Sequence, residues 1–458
     1  MEIHLEEIQQ IHFIGIGGIS MSAMAEILLK EGHQVSGSDR SMTPLLEHLQ
    51  SLGATIHCPQ QRENIKNPDL VIYTDAIGAD NEELLEAQRR NLPLMDRASF
   101  LGVLMKTYEK SIAVSGTHGK TTTTSMLATI FKHSTIQPTI MLGGEADDIG
   151  GNVLVGSHDI VLSEACEYKA NILKYHPTTA VVLNIDEDHL DFFKSIEDIE
   201  RTFISYVQSL DSTSTLIINN DESNLKNIKK SAPGKVLTFS IHRTSDYRGT
   251  NISYDEQGHV RYMLLYRGNK YPVRLQVMGI HNILNSLAAI ATAHHIGVSL
   301  EDAIFAMEQY RPVHRRLEFL GEKDGIKVMD DYAHHPTEIM ATLSALRNTA
   351  KGKIYCVFQP HTYTRTKILL QGFADAFKLA DHVVVLDIYA AREKNLNEIH
   401  SMDLVNAMKN RGTLAVYYPD FETALDHLRE ELRPGDLFIT MGAGNVNILS
   451  QMYLQNNS

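Results

Sequence analysis

The sequence predicts an α/β protein of three domains: a Rossmann-like N-terminal domain, a central P-loop ATPase-like parallel-sheet domain and a Rossmann-like C-terminal domain. Three observations carry this. Short apolar runs alternate with stretches of helical period along nearly the whole chain, the pattern of a mostly parallel sheet. Glycine-rich or polar clusters follow several of those runs at once, where open α/β sheets bind their ligands. The length of 458 residues fits about three units at roughly 150 residues each.

The first unit, taken as residues 1–107, opens with IHFIGIGGISMSAMAEILLKEGHQVSGSD. Residues 11–16 read as a strand, and Gly15, Gly17 and Gly18 as a tight turn. Met21, Met24, Ala25 and Leu28 then fall on one helical face. Residues 33–39 are the next strand and 69–77 a later one. Gly15-x-Gly17-x-x-Ser20 nearly matches a dinucleotide fingerprint, with Asp39 about 20 residues on as a ribose-binding acid. The turn fits NAD or FAD, another nucleotide diphosphate, or a structural role alone; two glycines let backbone N–H groups approach a pyrophosphate.

The second unit, residues 108–313, begins with SIAVSGTHGKTTTTSM. An apolar strand runs into Gly116, Thr117, His118, Gly119, Lys120, Thr121 and Thr122, and Met126, Leu127, Ile130 and Phe131 repeat at helical spacing behind them. This is the phosphate-touching part of a P-loop, with Val114 where the outer glycine usually stands. Backbone amides cradle the anion, Lys120 supplies a point charge, and the Thr121 hydroxyl suits Mg²⁺. Two further apolar runs, 159–165 and 179–185, end in Glu164 and Glu167 and in Asn184, Asp188, His189 and Asp191. Hard oxygen ligands at neighbouring strand ends fit Mg²⁺. Asn282 and Asn285 share one face of an alanine-rich helix, either to read a nucleotide or to cap the helix start.

The third unit, residues 314–458, carries Arg315 and Arg316, then VMDDYAHHPTEI with Asp330, Asp331, His334 and His335, and FQPHTYTRT with His361 and Arg365. Adjacent histidines without cysteine make a poor zinc site, and a site for a second substrate is the better reading.

Composition narrows the class. Net charge is −14, which argues against a nucleic-acid partner. Three scattered cysteines, an acidic start and no apolar run of ~20 residues argue for a cytoplasmic protein without membrane insertion.

Taken in order, HFIGIGG, SGTHGKTTTT, a glutamate after a strand, N-x-x-x-D-H-L-D, G-x-H-N-x-x-N, the arginine pair and DDYAHHPTE resemble the Mur ligases from residue 11 to about 444. In that family the ATP loop lacks the outer glycine, which accounts for Val114. The resemblance implies ATP-dependent addition of L-alanine to the lactyl carboxylate of UDP-N-acetylmuramate through an acyl phosphate, in peptidoglycan synthesis. A peptide-adding relative, a nicotinamide-dependent dehydrogenase, which would leave Lys120 and Glu164 idle, and a non-catalytic nucleotide-binding regulator are the alternatives. It assigns Gly15, Gly17, Gly18 and Asp39 to the UDP-sugar, and the loop 116–122 with Asn282, Asn285, Arg316 and Asp331 to ATP. Thr121, Glu164 and His189 become Mg²⁺ ligands; His335, His361 and Arg365 handle the amino acid. Lys120, Glu164, His189, Arg316, Asp331, His335 and Arg365 form the implied catalytic set, in a monomer or homodimer. The sequence departs from the family at Ser20, Cys166, Leu317 and Thr362; the last removes a cation near the amino-acid carboxylate and keeps glycine and serine in play. Ile204 stands where many relatives carry a carbamylated lysine, so no such modification is assigned.

Overall fold

The computed structural model describes residues 4–391 and 393–455. Their contacts divide them into two compact units. One comprises Met1–Ile185, Ile199–Phe239 and Ala288–Ala303; the other Asp186–Asp198, Ser240–Leu287 and Ile304–Ser458.

The first unit holds one wholly parallel and one mostly parallel sheet. In the N-terminal sheet the strands run in the order Thr55–His57, Gln34–Ser38, Gln10–Ile14, Leu70–Tyr73, Leu94–Asp96, every pair parallel. The helix Ile19–Lys30 buries Met21, Met24, Ala25 and Leu28, the four positions its periodicity predicts. The first strand stops at Ile14 rather than residue 16 because Gly15 turns left-handed, φ +82°, where a β-carbon would also collide with Thr74.

The second sheet places Lys110–Ser115 between Thr179–Val182 and Ile160–Ala165, all parallel and, apart from exposed Lys110 and half-buried Glu164, buried on both faces. Thr215–Asn219 and Lys235–Ser240 extend it on one side, and Thr139–Ala146 on the other. Gly151–Leu154 closes that side antiparallel.

The second unit is built on Leu437–Met441, flanked in parallel by Ile326–Asp331 and Ile354–Phe358, with His382–Val385 and Ala415–Tyr417 beyond and Glu318–Lys323 antiparallel at the edge. Ile354, Cys356 and Phe358 enter one apolar core and Tyr355 and Val357 the opposite one, the period-two signature of a sheet covered on both sides. This unit also holds an antiparallel meander, Tyr247–Tyr254, His259–Tyr266 and Asn269–Met278. The uniform β-α reading of the sequence passes over it. Its alternation is nonetheless present in Val273, Leu275 and Val277, buried between exposed neighbours.

No helix among the described residues is long and apolar enough to cross a membrane.

Gly102 sits in the helix Arg97–Lys106, and a β-carbon there would lie 2.2 Å from the Lys174 carbonyl oxygen. Glycine-to-alanine in a helix interior ordinarily gains up to about 1 kcal/mol. Here a backbone oxygen must move, so Gly102→Ala is expected to lose about 2 kcal/mol instead. A lowered midpoint in urea unfolding checks the sign.

Candidate functional site

The phosphate loop lies between Lys110–Ser115 and the helix Lys120–Lys132. Gly116 has φ +132°, and a β-carbon on it would press within 3.0–3.1 Å of Asn184 backbone atoms and of Leu183. Gly119 is the left-handed N-cap, φ +82°, and no side chain caps the helix. The first-turn amides are therefore left to an anion. Asn184 braces the loop: its carbonyl accepts from Thr117 N (3.2 Å), its Oδ1 from His118 N (2.8 Å), and its Nδ2 donates to His118 O (3.1 Å). This residue, read in the sequence only as one of several metal ligands, is a loop brace.

Lys120 folds back over the loop. Its Nζ donates to Gly116 O (2.5 Å) and Thr117 O (3.1 Å) and pairs with both Glu167 oxygens at 3.1–3.2 Å. Burial is the largest single influence and opposes the ammonium, but the acidic groups around it, Glu167 first and then Cys166 and Glu164, together outweigh it and push the pKa up to about 12. Thr121 Oγ1 donates to Glu164 Oε2 at 3.0 Å, and Gly143 N to Oε1 at 2.7 Å. A hydroxyl and a carboxylate side by side at a strand end are hard oxygen donors and fit Mg²⁺. The third expected ligand, His189, belongs to the other unit. Thr122 occupies the same first helical turn.

The glycine turn of the N-terminal sheet departs from expectation. Gly15 N and Ile16 N both donate to Ser38 O, Gly18 N to Gly15 O, and Gly17 N to Asp39 Oδ2 at 2.8 Å. The turn's own amides are thus engaged. The helix Ile19–Lys30, which starts from Gly18 without a side-chain cap, is left to face a diphosphate. The Asp39 carboxylate, expected on a ribose, holds the turn. Behind it, fully buried Glu83 accepts from the Ser38 hydroxyl and from Asn64 Nδ2.

The second unit gathers the polar strand ends. Asp331 ends Ile326–Asp331, accepting from Ala333 N (2.9 Å) and Thr342 Oγ1 (2.6 Å). Burial is the main cause that raises its pKa to about 6. Arg315 donates to Asp330 and to the carbonyls of Gly442 and Gly444, while Arg316 lies across the Tyr332 ring. Arg365 binds Asp188 Oδ1 through Nε (3.2 Å) and Nη2 (2.9 Å), and its Nη1 donates to His361 Nδ1 (3.1 Å). Burial works against the Asp188 carboxylate, yet its neighbours, His189 first and then Arg365, hold its pKa far below the usual range. Asp188 N–H and carboxylate also fix the turn at His189, a non-glycine residue at φ +54°.

His335 caps the helix Pro336–Arg347: its Nδ1 accepts from Thr337 N and its Nε2 donates to Glu187 O (3.0 Å). Asn282 does not cap its helix with its oxygen. Its Nδ2 donates back to Met278 O (2.7 Å), and its Oδ1 accepts from Asn285 (3.0 Å). Both asparagines are buried at the start of the helix.

A braced glycine loop, a paired lysine and a hydroxyl–carboxylate couple at the ends of parallel strands define a phosphate-binding α/β protein of the P-loop kind. Family models match three successive stretches: the Mur ligase family catalytic domain over residues 10–109, the Mur ligase middle domain over 114–293, and the Mur ligase glutamate ligase domain over 315–444. The chain belongs to the Mur ligase family. It is 43% identical, over all of both chains, to the UDP-N-acetylmuramate–L-alanine ligase of Caldanaerobacter subterraneus subsp. tengcongensis. Among solved structures it is similar to the UDP-N-acetylmuramate–alanine ligase of Thermotoga maritima, with TM-score 0.81 and 29% identity over 97% of this chain and 98% of that one. It is also similar to a murein peptide ligase of Psychrobacter arcticus, with TM-score 0.74 and 26% identity over the same shares.

The raised pKa of Asp331 has a signed consequence. Its protonated form is favoured on folding, so its contribution is full below the unfolded value near 3.8 and is lost as pH rises through about 6. Asp331→Asn keeps the bond from Ala333 N at its Oδ1 and reverses the other, its Nδ2 donating to the Thr342 hydroxyl, without the charge. It is expected to be more stable than the parent at pH 8 by on the order of 2 kcal/mol, with the gap closing toward pH 4. Denaturant unfolding of both proteins across that range reads the difference; parallel curves would contradict it.

Proposed function

We propose that this chain is an ATP-dependent ligase that joins L-alanine to the lactyl carboxylate of UDP-N-acetylmuramate in cytoplasmic peptidoglycan synthesis. The observation that carries the reading is the phosphate loop with Lys120 and the Thr121–Glu164 couple, in a chain alike from end to end to a ligase of that name. Greater likeness to the solved alanine ligase (TM-score 0.81, 29% identity) than to the solved peptide ligase (0.74, 26%), with 43% full-length identity to a further alanine ligase, favours a single amino acid over a peptide. The working divisions are residues 1–107 for the UDP-sugar, 108–313 for ATP, and 314–458 for the amino acid.

The chemistry starts with two anions that must meet. The lactyl carboxylate attacks the γ-phosphorus of ATP in line, forming an acyl phosphate and releasing ADP. Positioning and charge neutralisation carry this step, because the protein forms no bond of its own. Lys120 and the amides at the head of its helix bind phosphate oxygens, and Arg316 adds positive charge. Asn282, Asn285 and Asp331 are assigned to the nucleotide. Thr121, Glu164 and His189 would hold Mg²⁺, which neutralises phosphate charge when bound. In the second step the amine of L-alanine attacks the acyl carbon, and phosphate leaves from the tetrahedral intermediate. His361 and Arg365 face the amino acid, with the α-carboxylate on the N–H groups of Arg365 not engaged by Asp188. The start of the helix behind the Gly15–Gly18 turn binds the sugar nucleotide, and the turn, held by Ser38 and Asp39, sets its approach.

Two measurements test this. With no other nucleophile added, sustained ADP release is expected only when UDP-N-acetylmuramate and L-alanine are both present with Mg²⁺-ATP, with a product heavier by one alanyl residue; release with glycine or serine alone would move the specificity. Lys120→Ala is expected to lower ADP formation by at least ~100-fold while the UDP-sugar still binds. Loss of sugar binding in a folded variant would contradict this division of roles.

A further inference from the structure

L-Alanine arrives as an ammonium ion and must lose a proton before its nitrogen can attack a carbonyl. His334 and His361 stand beside Arg365, His335 follows His334 in the chain, and each of the three has its tautomer fixed by a neighbour. His335 accepts a backbone N–H at Nδ1 and donates its Nε2 proton to the Glu187 carbonyl, so both nitrogens are occupied. His361 accepts from Arg365 at Nδ1, which puts its proton on Nε2. His334 is the reverse: its Nδ1 lies 3.0 Å from the Tyr332 carbonyl, which can only accept. The proton is therefore on Nδ1, and Nε2 carries the lone pair.

We propose that His334 is the general base that takes a proton from the α-ammonium of the incoming amino acid. The proposal rests on the ligase reading above and assigns the role to a residue beside the one the sequence singles out. The ring is in edge contact with His361, centroids 5.9 Å apart, and so stands next to the arginine assigned to the α-carboxylate. An amino acid held there by its carboxylate carries its ammonium one carbon away. The groups facing His334 are Glu338 and Asp188, which favour its cation, and Arg365, which disfavours it. Burial is the largest influence, and the net effect lowers its pKa, so the ring is neutral at neutral pH. The side chain keeps 18% exposure, a route for the proton to leave. In the balanced step, one ammonium proton passes to His334 Nε2 and the nitrogen lone pair forms the C–N bond. The acyl C–O bond then breaks with its electron pair going to phosphate, which takes the second nitrogen proton.

The test separates amine activation from acyl-phosphate formation. Hydroxylamine is uncharged at neutral pH and needs no base, so it traps the acyl phosphate as a hydroxamate. His334→Gln is expected to ligate L-alanine ~100-fold more slowly and to form hydroxamate from UDP-N-acetylmuramate and ATP at the parent's rate. Added imidazole is expected to restore part of the alanine reaction in His334→Ala. The proposal falls if His334→Gln ligates alanine like the parent, or if hydroxamate falls in parallel, since the residue then serves folding or the first step. It falls too if the parent forms no hydroxamate. A parent that releases no ADP with alanine refutes the ligase reading itself.

Discussion

Charge buried at the end of a parallel sheet must be paired, and the site grows from that constraint. Lys120 keeps 17% of its side chain exposed and Glu167 only 3%. An ammonium so placed without a partner would be driven to give up its proton; with Glu167 beside it, it holds the proton more tightly than a free lysine. Removing one member of such a pair typically costs 3–5 kcal/mol or so. Glu167 therefore keeps the charge of Lys120 intact, and the Gly116 and Thr117 carbonyls aim it across the loop. A phosphate entering the loop meets a cation already oriented, so little reorganisation is left for the reaction.

The second unit solves the same problem with arginine. Arg315 spans Asp330 and two glycine carbonyls after the last strand, and Arg365 spans Asp188 and His361. A planar guanidinium can hold a structural partner on one edge and offer its remaining N–H groups on another, which an ammonium cannot do. The histidines divide labour by the same logic of hydrogen bonding. His335, with both nitrogens occupied, caps a helix; His334, with one nitrogen pinned to a carbonyl, keeps a lone pair.

The sequence by itself determined the three α/β cores, the phosphate loop and the family. Those depend on local features: the period of Met21, Met24, Ala25 and Leu28, the continuous burial of residues 111–115, and glycines where the backbone must turn left-handed or pass close to another strand. Each is written within a few residues and survives without knowledge of what packs nearby. The meander over residues 247–278 was legible in the alternation of Val273, Leu275 and Val277, but a uniform β-α expectation masks it.

Only the tertiary structure decided which polar side chains work together. Glu167 meets Lys120 from 47 residues away, Asn184 braces a loop 66 residues before it, and Asp188 meets Arg365 across 177 residues. Nothing in the spacing of a sequence encodes such pairs, because strand order sets them. Asp39 shows the limit: its distance from the glycine turn suggests a ribose ligand, and its hydrogen bond makes it a clamp on Gly17. The same holds for the adjacent histidines. Side by side in the chain they are interchangeable by type, and only the carbonyl each one meets decides which nitrogen bears the proton.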